Sequence, residues 1–188
     1  MSFCGRYEEV KGVITLLSVF DEILSEKLQS INNDKVVLNM IGDGSLKDEI
    51  TKIINRLKIS NHVRLYSNIK NKQVLDILEK SCCVVIPSIE EPFATVGLEA
   101  MSVKTAVISS NVGGMPEMVL HNVTGYLYDV NNQTLLKNYI IDLLSDQEKA
   151  RRFGEAGYER IKKYFTWECS VNKVLEIYCL AIKNFIKQ

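Results

Sequence analysis

The stretch CCVVIPSIEEPFATVGLEAM, residues 82–101, decides how the rest of the chain is interpreted. Residues 82–86 are small or β-branched and apolar, which predicts a strand buried on both faces. Pro87 ends this strand, a loop runs to Phe93, and residues 95–103 have the spacing of a helix with Leu98 and Met101 facing inward. The order strand, loop, helix predicts a βα unit of a parallel sheet, and ligands bind in the crevice at such a strand end.

Two carboxylates bracket this turn, Glu91 in the loop and Glu99 in the helix. Eight residues of straight helix would separate them by about 12 Å, so they reach one ligand only if the loop folds back. Carboxylates accept hydrogen bonds from sugar and ribose hydroxyls. A glycosidase would also use two carboxylates, as acid and base or nucleophile. That alternative explains neither a basic pair near the start of the chain nor the predicted frame of the domain.

Strand and helix patterns alternate along the rest of the chain. Strands are predicted at 35–41, 62–66, 105–109 and 125–128, and helices at 12–28, 72–80, 134–144, 147–164 and 167–186, with a further helix capped by Ser45. Residues 1–4 are too short for a central strand, so the chain is expected to begin inside or just before its first strand. This order predicts an α/β fold, a Rossmann-like doubly wound parallel sheet with helices on both faces.

Composition excludes several other classes of protein. The 188 residues are 46% hydrophobic and 24% charged with a formal net charge of zero, which gives no indication of a nucleic-acid surface. No apolar run reaches the length of a membrane span, and no signal peptide is recognised. The five cysteines are odd in number and lack metal-ligand spacing, so they are interpreted as reduced thiols.

A basic pair follows the first strand, where Gly5-Arg6 and Lys11-Gly12 precede a helix. Backbone N–H groups and the helix dipole favour anions at such a place, and two cations would complement a diphosphate. From residue types alone the ordinary interpretation, solvated basic residues at a helix start, is the better one.

These segments resemble a known family. EEPFATVGLEAM resembles the E-x7-E signature of the retaining, nucleotide-sugar-dependent glycosyltransferases of family 4, the group 1 transferases with a GT-B fold. Their pattern E-P-F-G-x-V-x-x-E-A-M is matched at Glu91, Pro92, Phe93, Val96, Glu99, Ala100 and Met101. Their G-R-x-x-x-x-K-G motif is matched at Gly5, Arg6, Lys11 and Gly12.

The resemblance implies a division of roles within a donor site. Arg6 and Lys11 bind the donor diphosphate and, with Glu91, form the catalytic set. Glu91 faces the transferred sugar, and Glu99 holds the ribose. Backbone amides at Phe93, Ala94 and Thr95 contact the sugar or phosphate at the helix start.

Three further turns match the family at lower specificity. Gly42 and Gly44 lack the third glycine of a dinucleotide fingerprint, which argues against a dehydrogenase; they resemble a G-x-G turn that shapes the pocket floor. Tyr66 and Ser67 align with the loop that receives the base. Residues 112–117 look like the family's V-G-G-x-P-E turn, in which Glu117 is either a cleft residue or a helix-start carboxylate.

Several positions depart from the pattern. Ala94 replaces a glycine where the backbone approaches the donor, and Lys104 and Ala106 replace the glycine and proline of a C-G-T-P turn. Lysine in that turn would carry a backbone cost if its φ were positive. His62 and His121 lack partners at catalytic spacing and are interpreted as structural.

No metal and no cofactor are expected, because the sequence has no Asp-x-Asp and no His/Cys cluster. The expected ligand is the nucleotide-sugar donor itself, whose leaving diphosphate would be stabilised by Arg6, Lys11 and helix-end amides.

The resemblance covers about residues 3–170 but only the carboxyl-terminal half of a GT-B enzyme. It implies a donor domain at 1–165 and a helix at 166–188, which in relatives packs toward an amino-terminal domain that binds a glycan or lipid-linked acceptor. A resemblance to only half of an enzyme is compatible with three origins of the chain: an excised domain, a truncated product or one half of a split enzyme. The expected location is cytoplasmic, with peripheral association of the full enzyme at the inner face of the membrane.

Two function classes stay open: a glycosyltransferase donor domain for polysaccharide, glycolipid or cell-wall assembly, inactive or weakly active alone, and a non-catalytic nucleotide-sugar-binding module. An epimerase of the same two-domain fold would lack the E-x7-E pattern.

Overall fold

The computed structural model describes residues 1–26 and 36–186. Its centre is a sheet of six parallel strands. In chain order they are β1 (Ser2–Cys4), β2 (Leu38–Ile41), β3 (Val63–Tyr66), β4 (Cys83–Ile86), β5 (Ala106–Ser110) and β6 (Gly125–Tyr128). The spatial order β3-β2-β1-β4-β5-β6 is that of a Rossmann-like doubly wound fold. The predicted fold class is therefore confirmed.

The order of the strands reverses between β1 and β4, and this is the switch point of the sheet. The expectation that residues 1–4 are too short for a central strand is wrong. Cys4 pairs with Ile41 of β2, and Ser2 pairs with both Asn39 of β2 and Val84 of β4. Three residues suffice in the middle of this sheet because both neighbours supply ladder hydrogen bonds. Connections leave β1 and β4 in opposite directions, which opens a crevice at their carboxyl ends.

Eight helices and one turn of 3₁₀ helix surround the sheet in the described ranges. They are α1 (Val13–Ser25), α2 (Lys47–Arg56), α3 (Asn71–Glu79), α4 (Thr95–Ser102), α5 (Met115–Met118), α6 (Gln133–Ser145), α7 (Gln147–Tyr164) and α8 (Trp167–Ile186), with the 3₁₀ turn at Glu9–Lys11. Strand β6 and helices α7 and α8 have the predicted bounds. Residues 27, 28 and 35, at the ends of two predicted elements, lie outside the described residues.

Three local expectations need correction. Ser45 does not cap α2; the cap position is Leu46, and no side chain caps it. The segment predicted as a turn at residues 112–117 contains a short helix, α5, with a proline in its first turn. In α4 the buried residues include Gly97, Ala100 and Met101, whereas Leu98 is only half-buried.

Two apolar cores lie on opposite faces of the sheet. One contains side chains of α1, α2 and α6, and the other contains side chains of α4 and α5. Helix α7 fits closely because Gly154 has no side chain: a Cβ there would lie 1.8 Å from the carbonyl oxygen of Lys104. Lys104 does adopt a positive φ, 59°, so this turn carries the cost expected for a lysine.

Helix α8 differs from the other long helices because its apolar face is uncovered. Trp167 is 88% exposed, and Val171, Val174, Leu175 and Tyr178 are each about half exposed or more. The described residues therefore leave the apolar face of this helix under-covered.

Candidate functional site

A cleft of about 270 Å³ lies at the carboxyl ends of β1 and β4. Seven of the predicted site residues line it: Arg6, Lys11, Glu91, Phe93, Ala94, Thr95 and Glu99. The loop after β4 does fold back, since both carboxylates that are eight residues apart in sequence reach the same cleft. The switch point of the sheet and the motif-bearing residues thus coincide.

The centre of the cleft is an ion pair between Lys11 and Glu91. The Lys11 Nζ lies 2.7 Å from the Glu91 Oε2, and the two side chains are 19% and 9% exposed. Gly12, directly after Lys11, makes this approach possible. Its φ is +65°, and a Cβ would lie 2.0 Å from the Pro87 carbonyl oxygen. Lys11 and Glu91, predicted to contact different parts of the donor, are in direct contact with each other.

Ser88 is a residue of this site that the sequence analysis missed. It lines the cleft, is 1% exposed, and its Oγ donates a hydrogen bond of 3.2 Å to the Glu91 Oε2. Its position just after Pro87, three residues before the glutamate, was the available signal. Lys11 and Ser88 thus contact the same oxygen. In the part of the chain that the structure describes, both side-chain hydrogen bonds to the Glu91 carboxylate fall on Oε2.

Glu99 stands on α4 at the other side of the cleft, half-buried and near Cys4. Burial, and then the negative charge of Glu99, raise the pKa of the Cys4 thiol to about 11. The thiol is therefore neutral at physiological pH and adds no charge to the cleft. Glu99 is the second carboxylate of the cleft, after Glu91.

Arg6 lies at the rim of the cleft. Its side chain is 70% exposed and its Nη1 lies 2.9 Å from the Glu8 Oε1. An exposed pair of this kind contributes little to stability. The guanidinium can therefore turn to an anionic ligand at small cost.

Gly42, Gly44, Tyr66 and Ser67, predicted to bind donor, do not line this cleft. A Cβ on Gly42 would lie 1.9 Å from the Gly5 carbonyl oxygen, and one on Gly44 would lie 2.6 Å from that of Tyr7. The two glycines therefore let the turn after β2 pack on the turn that carries Arg6. The Ser67 Oγ donates a 3.1 Å hydrogen bond to the Gly42 carbonyl oxygen, which ties the β3 loop to the same place.

Tyr66 lines a different cleft of about 510 Å³, together with Asn39, Arg64 and Asp76. That cleft is larger, but it is lined by no pair of carboxylates and by none of the other predicted site residues. Its size alone gives no reason to place the chemistry there.

The turn at residues 112–114 packs against the backbone of the loop that carries Glu91. A Cβ on Gly113 would lie 2.0 Å from the Glu91 carbonyl oxygen, and the Gly114 N–H donates a 2.9 Å bond to the Pro92 carbonyl oxygen. Glu117 is exposed, lies in the first turn of α5 and does not line the cleft. Of its two interpretations, the helix-start carboxylate is the one that the structure supports.

Phe93 connects the site to the end of α7. Its ring is 6.2 Å from that of Phe165, measured between centroids. Arg160 fixes the same junction, because its Nε and Nη2 donate to the carbonyl oxygens of Met118 and Glu117 at 2.9 and 2.7 Å.

The departures from the motif and the two histidines have local explanations. Ala94 is 6% exposed and packs in the core beside α4, with φ −84°, so its methyl group causes no strain. The His62 Nδ1 lies 2.8 Å from the Val36 carbonyl oxygen, and the His121 Nδ1 accepts from the Leu127 N–H. Neither histidine lines the cleft.

The described ranges offer neither a metal site nor a membrane-spanning helix. Residues 1–26 and 36–186 contain no group of three or more His, Cys, Asp or Glu side chains placed to hold a metal ion. Over the same ranges, no helix combines the length and apolar character that a bilayer crossing requires.

Comparison with known proteins places these features in a family. Residues 1–160 match the family model described as glycosyl transferases group 1. Alpha-maltose-1-phosphate synthase of Mycobacterium tuberculosis is 38% identical over 185 residues, which is 94% of this chain and 46% of that protein.

Two solved structures show the same fold. The C-terminal domain of a glycosyl transferase group 1 family protein (LpcC) from Francisella tularensis superposes with a TM-score of 0.77 at 20% identity, over 88% of this chain and 85% of that one. Anabaena HepE, solved in complex with UDP, gives 0.81 at 21% identity, over 95% and 48%. The chain thus spans about half the length of the curated relatives it matches.

Proposed function

Because this chain belongs to the group 1 glycosyltransferase family, we propose that it is the donor-binding domain of a retaining transferase. The donor is a nucleoside diphosphate sugar, and the acceptor is a glycan, a glycolipid or a similar molecule. The observation that carries the proposal is the pairing of Lys11 with Glu91 in the cleft that also contains Glu99. One cleft thereby holds a cation for a diphosphate and two carboxylates for hydroxyl groups.

The diphosphate binds between Arg6, Lys11 and the start of α4. Arg6 supplies a guanidinium that grips two oxygens, and Lys11 supplies a point charge. The backbone N–H groups of Phe93, Ala94 and Thr95 lie where the helix dipole favours an anion. These groups would stabilise the diphosphate when it leaves the sugar, so the proposed mechanism needs no metal ion.

The two carboxylates divide the rest of the donor between them. Both side-chain donors contact Oε2 of Glu91, which leaves Oε1 to accept from hydroxyls of the transferred sugar. Glu99 accepts from the ribose. The base lies along the loop at Tyr66 and Ser67, where the turn of Gly42 and Gly44 forms the supporting surface. Anabaena HepE has been solved with UDP and with UDP-glucose, which makes these two compounds the natural first probes.

The proposed enzyme also needs a second domain, which binds the acceptor. Residues 1–165 form the donor domain, and residues 166–188 pack toward an acceptor-binding domain, which the uncovered apolar face of α8 supports. The matched relatives are about twice as long as this chain, which leaves a non-catalytic sugar-nucleotide module or one half of a split enzyme as the second candidate. We place the whole enzyme in the cytoplasm, associated peripherally with the membrane where its acceptor is a lipid.

The two carboxylate assignments are tested together by calorimetry with UDP and UDP-glucose. Glu99→Gln replaces charge-assisted hydrogen bonds by neutral ones and should weaken both ligands by about 1–2 kcal/mol, since both contain the ribose. Glu91→Gln also frees Lys11 for the diphosphate that both ligands contain, so the loss of the sugar contact should appear as a fall in UDP-glucose affinity relative to UDP affinity. Equal losses on the two ligands for Glu91→Gln would show that the carboxylates are wrongly assigned.

The two function candidates are separated by supplying an acceptor-binding domain as a second chain. Transfer activity that appears on mixing supports the enzyme. Donor binding that never leads to transfer with any such domain supports the binding module.

A further inference from the structure

The orientation of the Glu91 carboxylate is set by two donors that contact one of its oxygens. The Lys11 Nζ lies 2.7 Å and the Ser88 Oγ 3.2 Å from Oε2. These two donors differ in how firmly they are held. The lysine ammonium sits on a flexible four-carbon stem and has three donors to share. The serine hydroxyl is joined to the backbone through Cβ alone, and its side chain is buried.

The backbone around Ser88 is fixed from two sides. The Ser110 Oγ, buried on β5, donates a 2.6 Å hydrogen bond to the Ser88 carbonyl oxygen. The next residue, Ile89, donates its N–H to the Val10 carbonyl oxygen at 2.7 Å. Ser88 is therefore held against both the sheet and the turn that carries Lys11, which fixes the place of its hydroxyl.

We infer that Ser88 is a positioning residue for the donor sugar, acting through Glu91, with Ser110 fixing the Ser88 backbone. This inference rests on the proposed function. A diphosphate attracts the Lys11 ammonium, so Lys11 cannot by itself keep Glu91 in place once donor is bound. The Ser88 hydroxyl has no such competitor. It holds Oε2 and leaves Oε1 directed at the sugar.

The inference predicts a selective effect on affinity. Ser88→Ala removes one hydrogen bond to a carboxylate without adding volume. UDP-glucose affinity should fall about fivefold, while UDP affinity should stay within error, because UDP has no sugar beyond its ribose. Ser109→Ala is the matched control: Ser109 is equally buried on β5, but its hydroxyl bonds the Ser110 carbonyl oxygen and does not reach Glu91.

Calorimetry on the full 188-residue chain tests this with UDP and UDP-glucose. The variants are Ser88→Ala, Ser109→Ala, Glu91→Ala and the double variant of Ser88 and Glu91. If Ser88 acts through Glu91, Ser88→Ala lowers the UDP-glucose to UDP affinity ratio in the wild-type background and leaves it unchanged in the Glu91→Ala background. The same loss in both backgrounds, no loss, or equal losses on both ligands overturns the inference.

The same data separate a failure of the inference from a failure of the proposed function. If Glu91→Ala changes the ratio and Ser88→Ala does not, only the inference fails. If Glu91→Ala does not change the ratio, the proposed role of Glu91 is wrong. Crystal structures then decide whether Ser88 positions Glu91 at all: the Glu91 carboxylate should turn away from its wild-type orientation in Ser88→Ala and keep it in Ser109→Ala. An unmoved carboxylate in Ser88→Ala overturns the inference, and melting temperatures of all variants check that they fold.

Discussion

The cleft at the end of β4 and helix α8 hold their side chains in opposite circumstances. In the cleft, Glu91 is 9% exposed and is held by Lys11 and Ser88, which come from separate segments of the chain. In α8, residues 170–185 are all exposed. The contrast teaches that the amphipathic pattern of a helix does not reveal what it packs against. Helix α1 has a comparable pattern and is buried against the sheet, whereas α8 has no such partner in the described residues.

The largest expected difference between the two regions is in hydrogen exchange. Amides of β4 should exchange only by global unfolding, whereas those of α8 from Thr166 onward should exchange by local opening, a gap of about 5 kcal/mol in opening free energy. Exchange measured by NMR or mass spectrometry checks this. Protection of α8 equal to that of β4 would contradict it, and a dilution series would then show whether self-association covers the helix.

The same substitution on two helices gives the next largest effect. Leu16 of α1 is fully buried, while Leu175 of α8 is 53% exposed. Leu16→Ala should lower the free energy of unfolding by about 3 kcal/mol, from lost burial and the cavity left behind. Leu175→Ala should change it by less than about 0.5 kcal/mol. Urea denaturation measures both, and similar losses would mean that α8 packs on the domain.

The cleft and helix α8 should also differ in the reactivity of their thiols, Cys4 and Cys179. Because burial and Glu99 raise the pKa of Cys4 to about 11 from its ordinary 9.0, its thiolate fraction at pH 8 is about 100-fold below that of an unperturbed thiol. Cys179 is exposed on α8. Iodoacetamide should label Cys179 long before Cys4, as read by peptide mass spectrometry. Fast labelling of Cys4 would show that the cleft is more open than described.

The raised pKa of Cys4 also gives a direction to the pH dependence of stability. The thiol stays protonated in the folded chain while the unfolded chain ionises above about pH 9. The contribution of the Cys4 thiol to the free energy of unfolding is therefore complete below pH 9 and is lost as the pH rises toward 11. Cys4→Ala should flatten that part of the profile in urea denaturation series. An unchanged slope would remove Cys4 as its cause.

The smallest expected effect is the stabilisation of the cleft by bound UDP. At ten times its dissociation constant, UDP should stabilise the cleft by about 1.4 kcal/mol, seen as slower exchange of the amides in residues 93–99. Exchange in α8 should not respond. EDTA should leave both results unchanged, because Arg6 and Lys11 supply the positive charge. Stabilisation that disappears on chelation would instead indicate a metal ion.

The sequence predicted the frame of this molecule well because its strands and motifs are local patterns. The buried run of β4, the carboxylates Glu91 and Glu99 and the basic pair of Arg6 and Lys11 could all be read in order, and the structure places all four side chains at one cleft. Order along the chain identifies the members of a site in an α/β fold, because the strand ends at the switch point lie side by side.

What could not be predicted depends on contacts between distant segments. The Lys11–Glu91 pair joins residues 80 apart, and the support of Ser88 by Ser110 spans 22 residues. Spacing predicts a pocket-floor role for Gly42 but does not reveal that its backbone lies against the Gly5 carbonyl oxygen.

The fixed junction at Phe165 has a mechanical consequence. Arg160 and Phe93 both contact this residue, so α8 leaves the domain from an anchored point next to the loop that carries Glu91. Its 20 residues make a rod of about 30 Å. While the helix is formed, a turn of about 10° at the anchor would carry its far end roughly 5 Å, so a partner that covered α8 and kept it formed would also fix the direction of the chain next to Phe93. What α8 packs against is thereby coupled, through the contact of Phe165 with Phe93, to the loop that carries Glu91.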